Sequence, residues 1–133
     1  MPTFPAVNLV AVVVAPMVTF AVAGIYWALV APRLSARLGG AAEVERMPAS
    51  GLAVAMATRF VLAYGMATVI AWAGATTAVG GLVVGLAAAV AFPLTILAGQ
   101  TAFGRGTWRD FATLIPQLLI EYGLMGAILA VWR

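Results

Sequence analysis

Four long apolar runs constrain this sequence more than any other feature. They cover about residues 7–30, 51–74, 78–101 and 111–132. A helix that crosses the hydrocarbon core of a bilayer needs about 20 predominantly apolar residues, and each run meets that length. Lipid offers the backbone no hydrogen-bond partner, so each run is expected to be helical. The sequence therefore predicts an all-α integral membrane bundle of four transmembrane helices, in a single domain over 1–133.

The amino-acid composition supports this assignment and excludes several kinds of site. The chain is 65% hydrophobic and 8% charged, whereas soluble domains are about 45–50% apolar and about 25% charged. It also contains no cysteine and no histidine. This excludes disulfides, thiol catalysis, histidine-based triads, histidine-ligated haem and most zinc sites. We therefore expect no metal site, no cofactor and no enzymatic activity.

The distribution of arginine predicts the orientation in the membrane. The connections after the first and third runs carry five arginines, which are Arg33, Arg37, Arg46, Arg105 and Arg109. The opposite side carries only Arg133 and the amino terminus. Cytoplasmic loops are enriched in arginine and lysine. We expect loop 31–50 to be cytoplasmic, both termini to lie on the outer side, and the protein to be multi-pass in the cell inner (plasma) membrane.

Tryptophan positions give an independent indication of where the spans end. Tryptophan prefers the two membrane–water interfaces. All four tryptophans lie close to a predicted span end and are interpreted as interface anchors: Trp27, Trp72, Trp108 and Trp132.

Small residues indicate how the spans pack, because they allow helix backbones to approach closely in lipid. The second run carries Ala63, Ala67 and Ala71 on one face, and the third carries Gly81 and Gly85. The connection between these two runs is short. We expect a compact bundle in which this hairpin forms one of the close helix–helix contacts.

Two ionisable residues lie well inside the predicted spans, Arg59 and Glu121. Glu121 lies about ten residues, or about 15 Å, into its run, and Arg59 about eight residues, or about 12 Å. A charge at the centre of a spanning helix costs at least about 2.5–3.5 kcal/mol. Three arrangements are open: a structural ion pair, a role for Glu121 in permeation or proton transfer, or separate fates, with Arg59 extended toward the cytoplasm and Glu121 protonated and hydrogen-bonded.

Other polar residues accompany this pair. Thr113, Gln117 and Glu121 are spaced by four residues, so they share one face of the fourth helix. Together with Thr113, the residues that we expect to line a polar interior are Thr58, Tyr64, Thr95 and Gln100.

Several segments resemble a known family. They are the early asparagine, the aromatic pair near the end of the first run, the hairpin "AYGMATVIAWAGATTAVGGLVVGL", and the segment "LTILAGQTAFGRGTWRDFATLIPQLLIEYGLMGAIL". They resemble the small bacterial four-span membrane proteins catalogued as domain of unknown function 1761, over most of the chain outside 32–50. The matching positions are Asn8, Tyr26, Trp27, Phe103, Arg105, Trp108, Tyr122 and Gly126. This chain has Gln100 where the family is expected to have asparagine, and Glu121 is not an expected family feature. The resemblance implies the fold and a membrane location, and no activity.

Two functions remain open from the sequence. A single four-helix core is filled by its own side chains, so a path across the membrane is expected to need several copies. The first hypothesis is a small oligomeric channel- or transporter-like protein in which Glu121, Gln117 and Arg59 line or gate the path. The alternative is a non-catalytic small subunit or assembly component of a larger membrane complex. The expected partners are membrane lipid and copies of the chain or other membrane subunits, without nucleic acid.

Overall fold

The computed structural model describes residues 5–40 and 48–132. In these parts of the chain every regular element is helical, and four continuous helices are long and apolar enough to cross a membrane. We name them span 1 to span 4, and their bounds are Leu9–Arg37, Ala49–Trp72, Ala78–Ala102 and Trp108–Val131. The protein is thus an all-helical, multi-pass membrane protein, as the sequence predicts. Arg46 and Arg133, which contribute to the predicted orientation, lie outside the described residues.

Span 1 is longer than the sequence predicted. It consists of an α-helix over Leu9–Ile25, a π-helical turn over Tyr26–Val30 and a further α-helix over Ala31–Arg37. Pro32 has no N–H to donate, which disturbs the pairing of the preceding turn. The π-turn restores one backbone hydrogen bond in this region, because the N–H of Ala31 donates to the carbonyl of Tyr26. The predicted loop 31–50 therefore begins with helix.

Span 3 contains a second π-helical turn, and a proline accompanies it as well. An α-helix over Ala78–Ala89 is followed by the π-turn Val90–Leu94, which includes Pro93, and by a final α-helix over Thr95–Ala102. The hydroxyl of Thr95 donates to the carbonyl oxygen of Val90 at 2.8 Å. A side chain thus satisfies a backbone group near the point where proline interrupts the helical pattern.

Span 4 occupies the centre of the arrangement and contacts the other three spans. Spans 1 and 2 pack against it and against each other, whereas span 3 packs mainly on span 4 and has few contacts with span 2. Span 3 is therefore less buried than span 4. Within an apolar stretch of 18 residues in each span, 17% is buried in span 3 and 39% in span 4. The predicted close contact within the hairpin of spans 2 and 3 is therefore wrong. Connection by a short loop does not make two helices pack when their small residues face elsewhere.

The close contact of span 3 is with span 4, and glycine makes it possible. A Cβ atom added to Gly81 would overlap the carbonyl oxygen of Gly126, and one added to Gly85 would overlap the carbonyl oxygen of Tyr122. The two backbones therefore touch. In lipid, where apolar side chains gain nothing by leaving the solvent, such backbone contact is a main source of helix association.

The remaining core lies between spans 1, 2 and 4, and half of its buried side chains are alanines. Its buried side chains are Ala11, Val12 and Ala15 of span 1 and, from spans 2 and 4, Ala63, Met66, Ala67, Ile70, Met125, Leu129 and Ala130. The alanine stripe of span 2 is thus directed inward, as predicted, although it faces spans 1 and 4. This core holds the three helices around the buried polar residues of span 4.

Candidate functional site

Arg59 of span 2 and Glu121 of span 4 form an ion pair inside the bundle. Arg59 Nε lies 2.7 Å from Glu121 Oε1, and Arg59 Nη2 donates to Glu121 Oε2 at 3.4 Å. The guanidinium thus lies close to both carboxylate oxygens, and the hydrogen bond between the two side chains is the one from Nη2 to Oε2. The side chain of Glu121 is 6% exposed and that of Arg59 is 18% exposed. The structure brings together the two residues that the sequence placed at similar depth.

Arg59 also contacts its own helix and span 1. Its Nη1 donates to the carbonyl oxygen of Ala55 at 3.2 Å. Its guanidinium carbon lies 5.2 Å from the centre of the Phe20 ring, a distance at which the ring attracts a cation. One charged side chain thus connects three spans. Sequence reasoning missed Phe20, because an aromatic residue in an apolar run carries no signal of which helix it faces.

A buried ion pair adds little net stability, but breaking it is costly. Removing two charges from water is costly, and mutual attraction only partly offsets that loss. Removing one partner, however, leaves an uncompensated charge and typically costs about 3–5 kcal/mol. The pair therefore favours the arrangement in which Arg59 and Glu121 meet, and penalises any other rotation of spans 2 and 4.

The predicted polar stripe of span 4 is buried along its full length. Thr113, Gln117 and Glu121 all face the interior. The hydroxyl of Tyr26 donates to the carbonyl oxygen of Thr113, and the hydroxyl of Thr113 donates to the carbonyl oxygen of Arg109 at 3.0 Å. These bonds lie just before Pro116, whose missing N–H weakens the backbone pairing of this turn. A buried tyrosine thus supports the helix where the proline interrupts it.

A small cavity separates span 1 from this stripe. Its volume is about 10 Å³, and it is lined by Thr19, Val22, Ala23, Tyr26, Gln117, Ile120 and Glu121. The carbonyl oxygen of the Gln117 side chain is buried and has no hydrogen-bond partner among the described residues. The cavity therefore lies beside Gln117 and Glu121, and the surface that it exposes is apolar.

The other four residues of the expected polar interior lie on the outer surface of the chain. Thr58, Tyr64, Thr95 and Gln100 are all exposed, and Tyr64 is 47% exposed. The hydroxyl of Thr58 is bonded back to carbonyls of its own helix. Six residues of α-helix turn the chain by about 600°, so Thr58 and Tyr64 point about 120° apart. Within one copy these four residues do not line an interior, because the packing of small residues directs the opposite faces inward.

The four tryptophans are exposed, in keeping with a role at the interface. Trp72 ends span 2, Trp108 begins span 4 and Trp132 follows its last helical residue. Trp27 lies within the π-turn, and span 1 continues beyond it to Arg37. The helix that contains Trp27 is thus longer than the predicted run, and the role of Trp27 as an interface anchor stays a prediction.

The described residues contain no cluster of three or more histidine, cysteine, aspartate or glutamate side chains that would hold a metal ion. Comparison with protein-family models, with curated proteins and with solved structures found no match to the chain. The resemblance to the four-span family stays a prediction.

Proposed function

We propose that this chain is a non-catalytic small subunit or assembly component of a larger membrane complex. The observation that carries the proposal is that Arg59 and Glu121 of the same chain form an ion pair with each other. A charged group in a membrane interior is a candidate for transport or proton transfer by default. Here each charge is neutralised by the other. A role in fixing helix packing is therefore enough to explain why both charges are present. The proposal includes a location in a bacterial inner membrane with both termini outside.

The position of the remaining polar residues supports the same proposal. Thr58 and Tyr64 lie on different flanks of span 2 and do not form one polar strip. An oligomer that lined a path with span 2 would need polar residues along a single face. Scattered polar positions on a lipid-facing surface are better suited to individual contacts with neighbouring helices.

Span 3 supplies the surface that such a neighbour would use. It packs mainly on span 4, which leaves most of its circumference uncovered. A helix that is attached to its own chain along one glycine-lined face is well placed to contact a second protein with the others. We therefore expect the larger partner to be an integral membrane protein.

Native mass spectrometry of the affinity-tagged chain, released from its own membranes in mild detergent, tests the proposal. We expect a complex with one larger membrane protein in a fixed ratio, with bound lipid. The Gly85→Ala variant is expected to lose this complex, because span 3, which supplies the surface, loses its close contact with span 4. A population of free chains or of homo-oligomers, with no larger protein attached, would contradict the proposal.

A second candidate is an oligomeric channel- or transporter-like protein. The buried polar stripe that runs from Thr113 through Gln117 to Glu121 favours it, because the stripe extends from the predicted cytoplasmic end to the carboxylate. Proton or ion flux in proteoliposomes, measured for the natural chain, for Glu121→Gln and for the exposed control Gln100→Met, tests it. Flux that is abolished by Glu121→Gln alone supports the transport function; no flux, or equal flux in all three proteins, excludes it.

A further inference from the structure

A larger cavity lies at the end of the bundle where span 1 begins and spans 2 and 4 end. Its volume is about 150 Å³, and it is partly open to the outside. Leu129 and Trp132 form its wall on the side of span 4. Much of the remaining lining consists of alanines, whose single methyl groups leave the space empty: Ala6, Ala11, Ala67 and Ala71. The cavity thus lies between three spans, and it shares no residue with the ion pair.

The surface that this cavity exposes is polar and apolar in similar parts, and Asn8 is the lining residue with an amide side chain. Asn8 is the N-cap of span 1. Its Oδ1 accepts from the backbone N–H of Val10 at 2.9 Å and from that of Ala11 at 3.4 Å. These bonds orient the amide and use only its oxygen. The two N–H donors of the side-chain nitrogen therefore remain for another partner.

Trp132 provides the largest side chain of the lining. It follows the last residue of span 4 and is 45% exposed, so its ring borders both the cavity and the surroundings of the bundle. Aromatic rings attract other rings in stacked or edge-on contacts. Trp132 therefore favours an occupant with a flat, apolar body.

Charge and polarity restrict the occupant further. None of the nine described residues that line the cavity is ionisable. A charged molecule would therefore be buried without a counter-charge, which is unfavourable. A wholly apolar molecule would cover the amide of Asn8 without replacing its hydrogen bonds to water, which is also costly. A neutral molecule with an apolar body and one acceptor avoids both losses.

We propose that this cavity binds one neutral, ring-sized molecule that carries a carbonyl or hydroxyl oxygen. A cavity of about 150 Å³ holds a molecule of the size of benzene. The ring packs against Leu129, Trp132 and the alanine methyl groups, and the oxygen accepts a hydrogen bond from the side-chain amide of Asn8. The site does not depend on the proposed role as a subunit, because span 3 takes no part in it.

The chain allows a direct spectroscopic test, because Asn8 is its only asparagine. Labelling with ¹⁵N-asparagine and ¹⁵N-tryptophan gives one side-chain amide group and four indole signals. The probe is acetophenone, a ring with one carbonyl oxygen, added to the full chain in detergent micelles. We expect saturable shifts of the Asn8 amide and of the Trp132 indole, which is identified by its loss in Trp132→Phe. Trp108, at the opposite end of span 4, is the internal control. No saturable shift, or an equal shift of Trp108, would overturn the proposal.

Two variants separate binding in the cavity from partition of the probe into detergent. Ala71→Leu fills the cavity and should abolish the response of Trp132. Asn8→Ser keeps a good N-cap and removes the amide donors, so acetophenone should bind about 2- to 12-fold more weakly, as expected for one hydrogen bond. Ethylbenzene has a similar shape without the oxygen and should bind equally to the natural chain and to Asn8→Ser. An unchanged response in Ala71→Leu, or an unchanged affinity for acetophenone in Asn8→Ser, would overturn the proposal. If Ala71→Leu does not fold, the comparison with Asn8→Ser still decides the question.

Discussion

Removing one member of the Arg59–Glu121 pair is the sharpest test of how this protein is held together. In Glu121→Ala the guanidinium of Arg59 keeps the carbonyl of Ala55 and the ring of Phe20 as neighbours. It loses the carboxylate at 2.7 Å. With the Arg59 side chain 18% exposed, solvent reaches the charge only in part. We expect a loss of about 3–5 kcal/mol in the free energy of unfolding.

The double variant Arg59→Met with Glu121→Leu separates a structural pair from two independent residues. It removes both charges and fills similar volume with apolar atoms, a replacement that is often neutral or stabilising. We expect it to recover most of the stability that Glu121→Ala loses. The assay is reversible unfolding in mixed micelles, followed by helical circular dichroism and analysed as a double-mutant cycle with both single substitutions.

The coupling energy in that cycle is the decisive quantity. A structural pair requires coupling of about 2 kcal/mol or more, since contacting residues in one network typically couple by about 0.5–3 kcal/mol. A double variant that is no more stable than the less stable single variant would refute the reasoning. Phe20→Leu in the same assay is expected to cost about 0.5–2 kcal/mol for the lost attraction between ring and cation.

Three further outcomes are expected. Gly85→Ala places a Cβ against the backbone of span 4 and should lower the free energy of unfolding by at least about 1–3 kcal/mol. The control Gly65→Ala meets no atom within 4 Å and should raise the free energy of unfolding by about 0.5–1 kcal/mol. Equal effects would contradict the close contact of spans 3 and 4. Tyr26→Phe removes one buried hydrogen bond and should cost about 0.5–1.5 kcal/mol in the same unfolding assay; an unchanged value would show that the bond contributes nothing. The chain has no cysteine, so Thr76→Cys and Ala36→Cys each introduce a single reporter thiol. An impermeant maleimide should label Thr76→Cys in intact spheroplasts and Ala36→Cys only after lysis. The reverse pattern would invert the proposed orientation.

Spans 2 and 3 show what a pattern of small residues can and cannot predict. The sequence correctly predicted that Ala63 and Ala67 of span 2 and Gly81 and Gly85 of span 3 lie on packed faces, and all four are buried. It assigned them to one shared contact because a short loop joins the helices. The structure divides them: the alanines face spans 1 and 4, and the glycines face span 4. A stripe of small residues shows that a face packs closely, and it does not show against which helix.

Arg59 and Glu121 illustrate the same limit at the site. Their depths follow from counting residues along each helix, and similar depth made an ion pair one of three alternatives. Their rotational positions about the helix axes depend on how the helices pack, so the sequence left the other two open. Phe20 and Tyr26, which complete the surroundings of the pair and the stripe, belong to a third helix and had no local signal.

The amino-acid sequence by itself determined the number of helices that are long and apolar enough to cross a membrane and the approximate bounds of most of them. These properties follow from the length of apolar runs, because lipid requires every backbone group to bond within its own helix. The tertiary structure alone decided that span 4 is central, that span 3 attaches to it through glycines, and that Arg59 meets Glu121 beside a cavity. Apolar helix faces are nearly equivalent in lipid. The choice of neighbour therefore depends on how the surfaces of two helices fit, and that information is distributed over segments far apart in the chain.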